Sequence, residues 1–264
     1  MNKYTILKCL TIIIILLFSC DKNPVAPNID TFLFPLSVGN RWEYNYTRTQ
    51  TNIISEEENL PLHFQNVSGK VIITVTGKAT LYDTVSVYVL NHKFIETLDS
   101  SEKITEASLY YYQDESGLYF YGLSGEFYHF TSDYPTIFPT LYDYSYTYTH
   151  YDSIVTYSAP KLYLEYPMKK GNKWGYNSDI IKKISDIDEI NCLAGNFICF
   201  KVDNLHDSND YKPDKNHLSH EYISNKGLIK KIFKWDGMLY WGGNRDTIAV
   251  FDQEIILELS DVNF

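Results

Sequence analysis

Aromatic and β-branched residues alternate with polar ones in short runs along this chain, and this period of two constrains the fold more than any other feature. The clearest run is Tyr142-Asp143-Tyr144-Ser145-Tyr146-Thr147-Tyr148-Thr149, which would place four tyrosines on one face of a strand. Trp42-Glu43-Tyr44-Asn45-Tyr46 and Val85-Ser86-Val87-Tyr88-Val89 alternate in the same way. Such runs suit a pleated, half-buried surface and therefore predict β-strands.

Turn signals such as Ser116-Gly117 and Lys170-Gly171-Asn172 separate these runs. The pattern predicts an all-β antiparallel domain over residues 32–264, built as a curved half-barrel or a sandwich with little helix. One segment, 180–187, has helical spacing. We predict a strand there, because isoleucine is an indifferent helix former and a hairpin follows directly.

An eleven-residue motif occurs twice, at 34–44 and at 166–176, as aromatic-Pro-x₃-Gly-Asn-basic-Trp-x-Tyr. The Gly-Asn pair tolerates the positive φ of a tight turn, and Trp-x-Tyr starts a strand with both rings on one side. Two interpretations stay open. The chain consists of two related halves, 32–160 and 161–264, or one turn motif is used twice in a single sheet.

The first nineteen residues predict a secretory signal, because a weakly basic start precedes a nine-residue apolar run from Leu10 to Phe18. A membrane-spanning helix needs about 20 apolar residues. Leu17-Phe18-Ser19-Cys20 resembles the lipobox of bacterial lipoproteins. The resemblance implies cleavage after Ser19, a diacylglyceryl thioether on Cys20 and acylation of the new amino terminus, for example with palmitate. The alternatives are an uncleaved anchor and an ordinary signal that ends near a cysteine.

Residues 20–31 contain two prolines and almost nothing to bury, so we predict an extended, mobile tether. Acylated Cys20 would then hold the domain on a lipid bilayer of a bacterial cell envelope, in an extracytoplasmic space. The outer membrane is the favoured location, although Asp21 would retain a lipoprotein in the inner membrane of some diderm bacteria.

The formal charge is −10, and removal of Lys3 and Lys8 with the signal makes it −12. An acidic chain without a basic cluster is a poor binder of nucleic acid, since neutralised phosphates supply most of that affinity. It is equally poor at gripping anionic headgroups by charge. We therefore predict no nucleic-acid partner.

Cys192 and Cys199 remain after cleavage and flank Gly195-Asn196, a plausible two-residue hairpin turn. Such a turn would place the two cysteines opposite each other, within reach of a disulfide. An exported compartment permits the bond, so we predict a disulfide between them. The alternative is a pair of reduced core thiols.

The sequence predicts no catalytic residue, metal site or cofactor. His217 and His220 would point to opposite faces of a strand and could not share one ion. No G-x-S-x-G motif and no glycine-rich phosphate loop are present. A pair of carboxylates brought together only by the fold stays an open alternative.

Two further motifs, Ala194-Gly195-Asn196-Phe197-x-Cys199 and Tyr222-x₄-Gly227-Leu228-Ile229-Lys230, complete a resemblance that also includes the lipobox and the repeated motif. Together they resemble a group of uncharacterised bacterial envelope lipoproteins. The resemblance implies membership without implying an activity. By analogy it also implies a curved antiparallel half-barrel of the lipoprotein-carrier type.

The tyrosines Tyr142, Tyr144, Tyr146 and Tyr148 are the best candidates for binding, because exposed rings on a rigid sheet stack on sugars or cover acyl chains. The alternative is that they pack into the core. We predict a non-enzymatic binding or assembly module whose partner is a carbohydrate, a lipid or an envelope protein. The alternatives are a secreted hydrolase with carboxylate catalysis and a purely structural envelope component.

Overall fold

The computed structural model describes residues 32–55, 66–98, 101–125, 148–151, 154–175, 180–206, 217–241 and 247–264. These residues form strands and turns and contain no helix, which confirms the predicted all-β antiparallel fold. The strands are β1 (Arg41–Ser55), β2 (Val67–Leu81), β3 (Val85–Leu98), β4 (Ser101–Gln113), β5 (Gly117–Gly125), β6 (Tyr148–Tyr151), β7 (Ile154–Glu165), β8 (Lys173–Gly175), β9 (Ile180–Cys192), β10 (Gly195–His206), β11 (His217–Ser224), β12 (Gly227–Trp241) and β13 (Thr247–Asn263).

All of these strands belong to one sheet, in the order β6-β7-β5-β4-β3-β2-β1-β13-β12-β11-β10-β9-β8. The sheet curves into a nearly closed barrel. Most neighbours are consecutive in the chain, but the long ladder between β1 and β13 joins Arg41 to Asn263 and Ser55 to Ala249. This ladder links the first half of the sheet to the second.

The period of two in the sequence becomes an inner and an outer face. Along β1, Trp42, Tyr44 and Tyr46 face inward and are buried, while Asn45 faces outward. The segment 180–187 is part of β9, with Ile180, Lys182 and Ile184 buried in alternation, so the predicted strand is confirmed. The segment forms a strand and not a helix because alternate side chains point to the buried inner face of the sheet.

The main core fills the inside of the curved sheet. Its most deeply buried members come from both halves of the chain, and they include Val71, Leu109, Leu118, Phe120, Leu164, Ile184, Phe200, Ile223, Ile229 and Leu259. Complete burial of a side chain of this kind contributes about 1.5–3 kcal/mol. The inner face is therefore a packed core.

Several connections lie at the end of the sheet where β1 begins and β13 ends. They are the segments 32–40 and 166–172 and the turns 82–84, 114–116, 193–194 and 225–226. They lie at the same end because neighbouring strands alternate in direction. We call this end of the molecule the turn end and the opposite one the far end.

The first copy of the repeated motif forms a tight turn that leads into β1. Gly39 has a φ of 97° and donates its backbone N–H to the carbonyl of Val75 at 2.8 Å. Val75 in turn donates to the carbonyl of Asn40 at 2.9 Å. The Asn40 side-chain amide donates to the carbonyl of Pro35 at 2.8 Å and closes the turn.

The second copy makes the same hydrogen bonds where the chain enters β8. Gly171, at a φ of 95°, donates to Ile184 at 2.8 Å, and Ile184 donates to Asn172 at 3.0 Å. The Asn172 amide donates to the carbonyl of Pro167 at 3.0 Å. The two copies therefore share a hydrogen-bond network as well as a sequence pattern.

Candidate functional site

The tyrosines proposed from the sequence mostly fall outside the described residues. Tyr142, Tyr144 and Tyr146 lie there, as does Cys20, and Tyr148 begins β6 with a side chain that is also outside the described part. Their role in binding stays a prediction. The described residues contain a different set of tyrosines on the outside of the sheet.

This set, the outer tyrosine face, comprises Tyr110 and Tyr112 on β4 with Tyr119 and Tyr121 on β5. Tyr110 is buried and the other three are half-buried. The Tyr112 ring lies 6.1 Å from Tyr119, its cross-strand partner, and 6.2 Å from Tyr121, measured between ring centroids. The interplanar angles of 42° and 72° belong to the tilted and edge-to-face arrangements that aromatic rings prefer.

Hydrogen bonds hold the polar ends of these tyrosines. The Ser116 hydroxyl lies 2.7 Å from the Tyr119 hydroxyl and donates to the Asp114 carboxylate at 2.6 Å. The Tyr110 hydroxyl lies 2.9 Å from the hydroxyl of Ser124. The rings pack in pairs, and the hydroxyls of Tyr110 and Tyr119 form hydrogen bonds. The outer tyrosine face is therefore preorganised.

The Asp114 carboxylate belongs to this network. Hydrogen bonds from the Ser116 side chain, and then from the backbone of Ser116 and Gly117, lower the pKa of Asp114 despite some desolvation. The negative charge on Asp114 in turn raises the pKa of Tyr112. The result is a fixed carboxylate beside the Tyr112 phenol, which keeps its proton, on a surface able both to stack and to form hydrogen bonds.

The tip of the β2–β3 hairpin packs against the same face. Leu81 and Val87 are buried there against Tyr110, with Tyr112 and Tyr121 packed alongside. Tyr82 and Asp83 in the turn have φ values of 53° and 58°, and the Tyr82 side chain is 40% exposed. The outer tyrosine face therefore has a small core beneath it and an exposed rim at the turn end.

Sequence reasoning missed this face because the Tyr110-Tyr111-Tyr112 run does not alternate. The structure places a bulge between Tyr110 and Tyr111, where the register against β5 shifts. Tyr111 is directed to the core and packs 5.3 Å from Phe120 and 6.1 Å from Tyr163. The density of tyrosines between Tyr110 and Tyr166 was the only available signal.

The interior contains a buried ion cluster formed by Lys182, Glu221 and Lys231. The two ammonium groups donate to the two oxygens of Glu221 at 2.8 and 2.9 Å, and the Lys182 and Glu221 side chains are each 2% exposed. The Lys182 Nζ also lies 3.8 Å from the ring centroid of Tyr163, a cation–π contact.

The charges in this cluster determine each other's protonation. Burial raises the pKa of Glu221, but the two lysines outweigh it and bring that pKa down to about 2. Burial lowers the pKa of Lys182 to about 8, and the neighbouring Glu221 opposes the change. Glu221 is therefore ionised and committed to its lysines, unlike the protonated carboxyl that a general acid requires.

A cavity of about 50 Å³ is lined mainly by apolar side chains, among them Trp42, Tyr44, Tyr111 and Tyr163, the tyrosine that contacts Lys182. Its volume suits a few water molecules and is far below that of a ligand pocket. His92 also lines it. Burial lowers the pKa of His92 to about 3, so this imidazole is neutral at physiological pH.

The predicted turn between the two cysteines is wrong by two residues. The β9–β10 turn is Leu193-Ala194, so Cys192 pairs with Gly195 and Cys199 pairs with Asp188. The two cysteines therefore differ by four positions along the hairpin, about 13 Å at the rise of a strand, beyond the reach of a disulfide. Both thiols are free in the structure, and burial raises the pKa of Cys199 to about 12.

Of the two histidines on β11, His220 has a described side chain, and it pairs with an acid on the neighbouring strand. The Nδ1 of His220 donates a hydrogen bond at 2.7 Å to the Asp203 carboxylate on the adjacent strand. No group of three potential metal ligands occurs in the part of the chain that the structure describes. The same part includes no helix with the length and apolarity needed to cross a bilayer.

The fold and the site thus define an antiparallel β protein with a packed interior and a tyrosine-rich outer face. Neither a protein-family model nor a curated protein matches the chain. Among solved structures it is similar to a Bacteroides fragilis protein of YmcC-like fold that is inferred to be exported, at 14% identity and a TM-score of 0.43. It is also similar to a Parabacteroides distasonis protein inferred to be a lipoprotein, at 17% identity and a TM-score of 0.37. Both comparisons cover 88% of this chain and 99% of the other protein.

Proposed function

We propose that this protein is a lipid-anchored, non-enzymatic module of a bacterial cell envelope that binds its partner through the outer tyrosine face. The observation that carries this proposal is the arrangement of Tyr112, Tyr119 and Tyr121, three half-buried rings held on paired strands. Rigid, partly exposed tyrosines give a large contact area at a small loss of conformational entropy.

The chemistry of the face favours a carbohydrate among the partners considered. The ring faces offer stacking surfaces, while Ser116 and the Asp114 carboxylate offer hydrogen-bond acceptors at one edge of the same patch. Sugars present an apolar ring face with hydroxyl donors around its edge. A purely apolar acyl chain would leave these polar groups without a matching partner.

The envelope location is supported by the lipobox residues Leu17-Phe18-Ser19-Cys20 and the apolar segment before them. We also propose that the membrane which holds the anchor is the outer membrane. Non-enzymatic action is supported by Glu221, the most buried acid of the described interior, because two lysines hold it ionised.

Binding of the purified protein to an array of immobilised bacterial polysaccharides tests the proposed face. The double variant Tyr112→Ala/Tyr119→Ala is expected to lose retention on the sugars that the unmodified protein binds, because two stacking surfaces disappear. The matched control Tyr112→Phe/Tyr119→Phe keeps both rings and should retain most of the binding. Equal binding by the alanine variant, or no retention of the unmodified protein, would refute a carbohydrate-binding face.

A further inference from the structure

The turn end is the part of the described molecule that lies next to the predicted anchor. The described chain begins at Phe32, which is buried in the main core and packs 5.8 Å from Tyr166 and from Phe200, ring centroid to centroid. Phe32 lies twelve positions after Cys20 in the sequence. Such a segment spans at most about 40 Å, with a root-mean-square extension of about 20 Å for a random coil.

The same end carries large apolar side chains that protrude from turns and chain segments. Leu33 is 52% exposed and Val38, in the turn before β1, is 59% exposed. Leu193 is 77% exposed at the tip of the β9–β10 hairpin, and Phe264 is 49% exposed where it follows β13. None of these four side chains is a member of the main core in the described residues.

The structure fixes the Phe264 ring and the backbone of the hairpin tip that carries Leu193. Phe264 packs edge-on against the buried Trp42, with ring centroids 5.5 Å apart, and the Lys226 Nζ lies 4.7 Å from the Phe264 ring centroid. Leu193 is fixed by a two-residue turn whose flanking residues, Cys192 and Gly195, are paired. A rigid hairpin tip loses little conformational entropy when its side chain inserts into a lipid bilayer.

We propose that the turn end is a membrane-docking surface, with Leu33, Val38, Leu193 and Phe264 as its inserting side chains. The occupant is the lipid bilayer that holds acylated Cys20, so the inference rests on the proposed anchor. A short tether keeps the turn end at high effective concentration near the membrane, which lets a few apolar side chains bind even though each is weak alone.

Docking would also orient the outer tyrosine face. Tyr112 and Tyr119 lie beside the 114–116 turn at the turn end. Their rings would stand close to the headgroup region, where tyrosine is enriched because its ring is apolar and its hydroxyl is wet. The far end would project away from the bilayer.

A fluorescent probe at the hairpin tip tests the docking surface in the full-length, acylated protein reconstituted into phosphatidylethanolamine–phosphatidylglycerol vesicles. In a Cys192→Ser/Cys199→Ala background, Leu193→Cys carries the environment-sensitive dye NBD. The matched control carries the dye at Ile54→Cys, which is 72% exposed but lies on β1 toward the far end. We expect blue-shifted emission and quenching by nitroxide-labelled lipid at position 193 and neither effect at position 54.

Identical behaviour of the two labels in protein whose acylation has been verified by mass spectrometry would overturn the docking surface while leaving the anchor intact. Absence of acyl chains on Cys20 would overturn both. A blue shift that is already present in lipid-free Cys20→Ala protein and grows with protein concentration would indicate self-association and also overturn the proposal. Hydrogen exchange of the unmodified protein gives a check without cysteine variants, with slower exchange on vesicles expected at the 193–194 turn.

Discussion

The buried cluster of Lys182, Glu221 and Lys231 shows how one side chain can matter more than its neighbours. Two buried ammonium groups share a single carboxylate. Removal of Glu221 would take away the carboxylate that both ammonium groups contact. Removal of Lys182 would leave a neutral pair with Lys231. We therefore expect the loss of Glu221 to lower the free energy of unfolding more than the loss of Lys182.

Glu221→Gln is expected to lower the free energy of unfolding by about 3–5 kcal/mol, the range for breaking a buried ion pair. Lys182→Met should cost clearly less, because its apolar stem is retained and the remaining pair is neutral. Urea unfolding followed by circular dichroism measures both. Lys170→Met is the surface control, since its ion pair with Asp186 is exposed and worth about 1 kcal/mol or less. A larger loss in Lys182→Met than in Glu221→Gln would contradict the charge argument.

His92 predicts a loss of stability in mild acid. Its pKa is about 3 in the folded protein and about 6.5 in an unfolded chain. Below pH 6.5 the unfolded state therefore takes up a proton that the folded state does not, and stability falls until the pH reaches the folded pKa. Between pH 6.5 and pH 5 this one group should remove about 1.5 kcal/mol.

The measurement is the difference in unfolding free energy between pH 6.5 and pH 5 for the unmodified protein and for His92→Gln. The variant should show a smaller difference, because its side chain does not titrate. The other histidines contribute equally to both proteins and cancel. An unchanged pH dependence in His92→Gln would show that the pKa of His92 is not lowered in the folded protein.

At the scale of elements, the repeated turn is the best-defined local structure. Asn40 and Asn172 make the same side-chain hydrogen bond, to Pro35 and Pro167, but Asn40 is buried and Asn172 is half-buried. A lost hydrogen bond costs more when its partner is left buried away from water. The two copies should therefore respond to the same substitution with the same sign and different size.

Asn40→Ala is expected to cost about 1–3 kcal/mol, and Asn172→Ala less, in thermal or urea unfolding. Asn45→Ala, on the outward side of β1, serves as the control for the change in side-chain size. A larger loss of stability in Asn172→Ala than in Asn40→Ala would show that burial does not determine how much this hydrogen bond contributes to stability.

The strands could be predicted from the sequence because alternation and turn residues are local signals. The 180–187 strand and the Gly-Asn turns of the repeat belong to this class. The cysteine hairpin could not be placed, since Leu193-Ala194 carries no turn signal while Gly195-Asn196 does. Tertiary packing selected the register: Ile190, Cys192, Ala194 and Phe197 all pack against the main core.

The whole molecule is organised around the junction between β1 and β13, where the two halves meet. Trp42 on β1 donates from Nε1 to the carbonyl of Lys226 at 2.6 Å, and the Tyr44 hydroxyl donates to Leu228 at 2.9 Å. Trp174 holds the matching place in the second copy of the motif. Its buried Nε1 has no hydrogen-bond partner among the residues that the structure describes.

This asymmetry predicts different costs for two identical substitutions. Trp42→Phe removes a donor and leaves the carbonyl of Lys226 unsatisfied, whereas Trp174→Phe removes an N–H that was already unpaired. Both lose similar apolar area, so Trp42→Phe should be more destabilising by about 1–2 kcal/mol. Unfolding followed by calorimetry would reveal the difference. Equal costs would mean that the two tryptophans are equivalent and that the halves are more symmetric than the structure indicates.

The hypothesis of two related halves stays a prediction. In each half a Gly-Asn turn leads into a Trp-bearing strand that pairs with the next strand, β1 with β2 and β8 with β9. The β1–β13 ladder has no counterpart of similar length between β7 and β8 in the described residues. The motif was visible in the sequence, but the pairing of β1 with β13 was not, because 191 residues of chain (56–246) lie between the two strands.

The function was even less accessible to sequence reasoning than the fold. Turn and packing residues such as Gly39 and Trp42 dominate the recognisable motifs, and these residues report on folding. The outer tyrosine face exists only because β4 and β5 pair Tyr112 with Tyr119. The cellular location of a lipoprotein, by contrast, depends on a short contiguous segment such as Leu17-Phe18-Ser19-Cys20. The lipid anchor could therefore be proposed from the sequence alone.

Mass spectrometry of the mature protein, purified from bacterial membranes, tests the lipid anchor most directly. We expect an amino-terminal peptide that begins at Cys20 and carries a diacylglyceryl group on its thiol together with an acylated amine. Residues 1–19 should be missing. A peptide that begins at Met1, or an unmodified Cys20, would contradict the account.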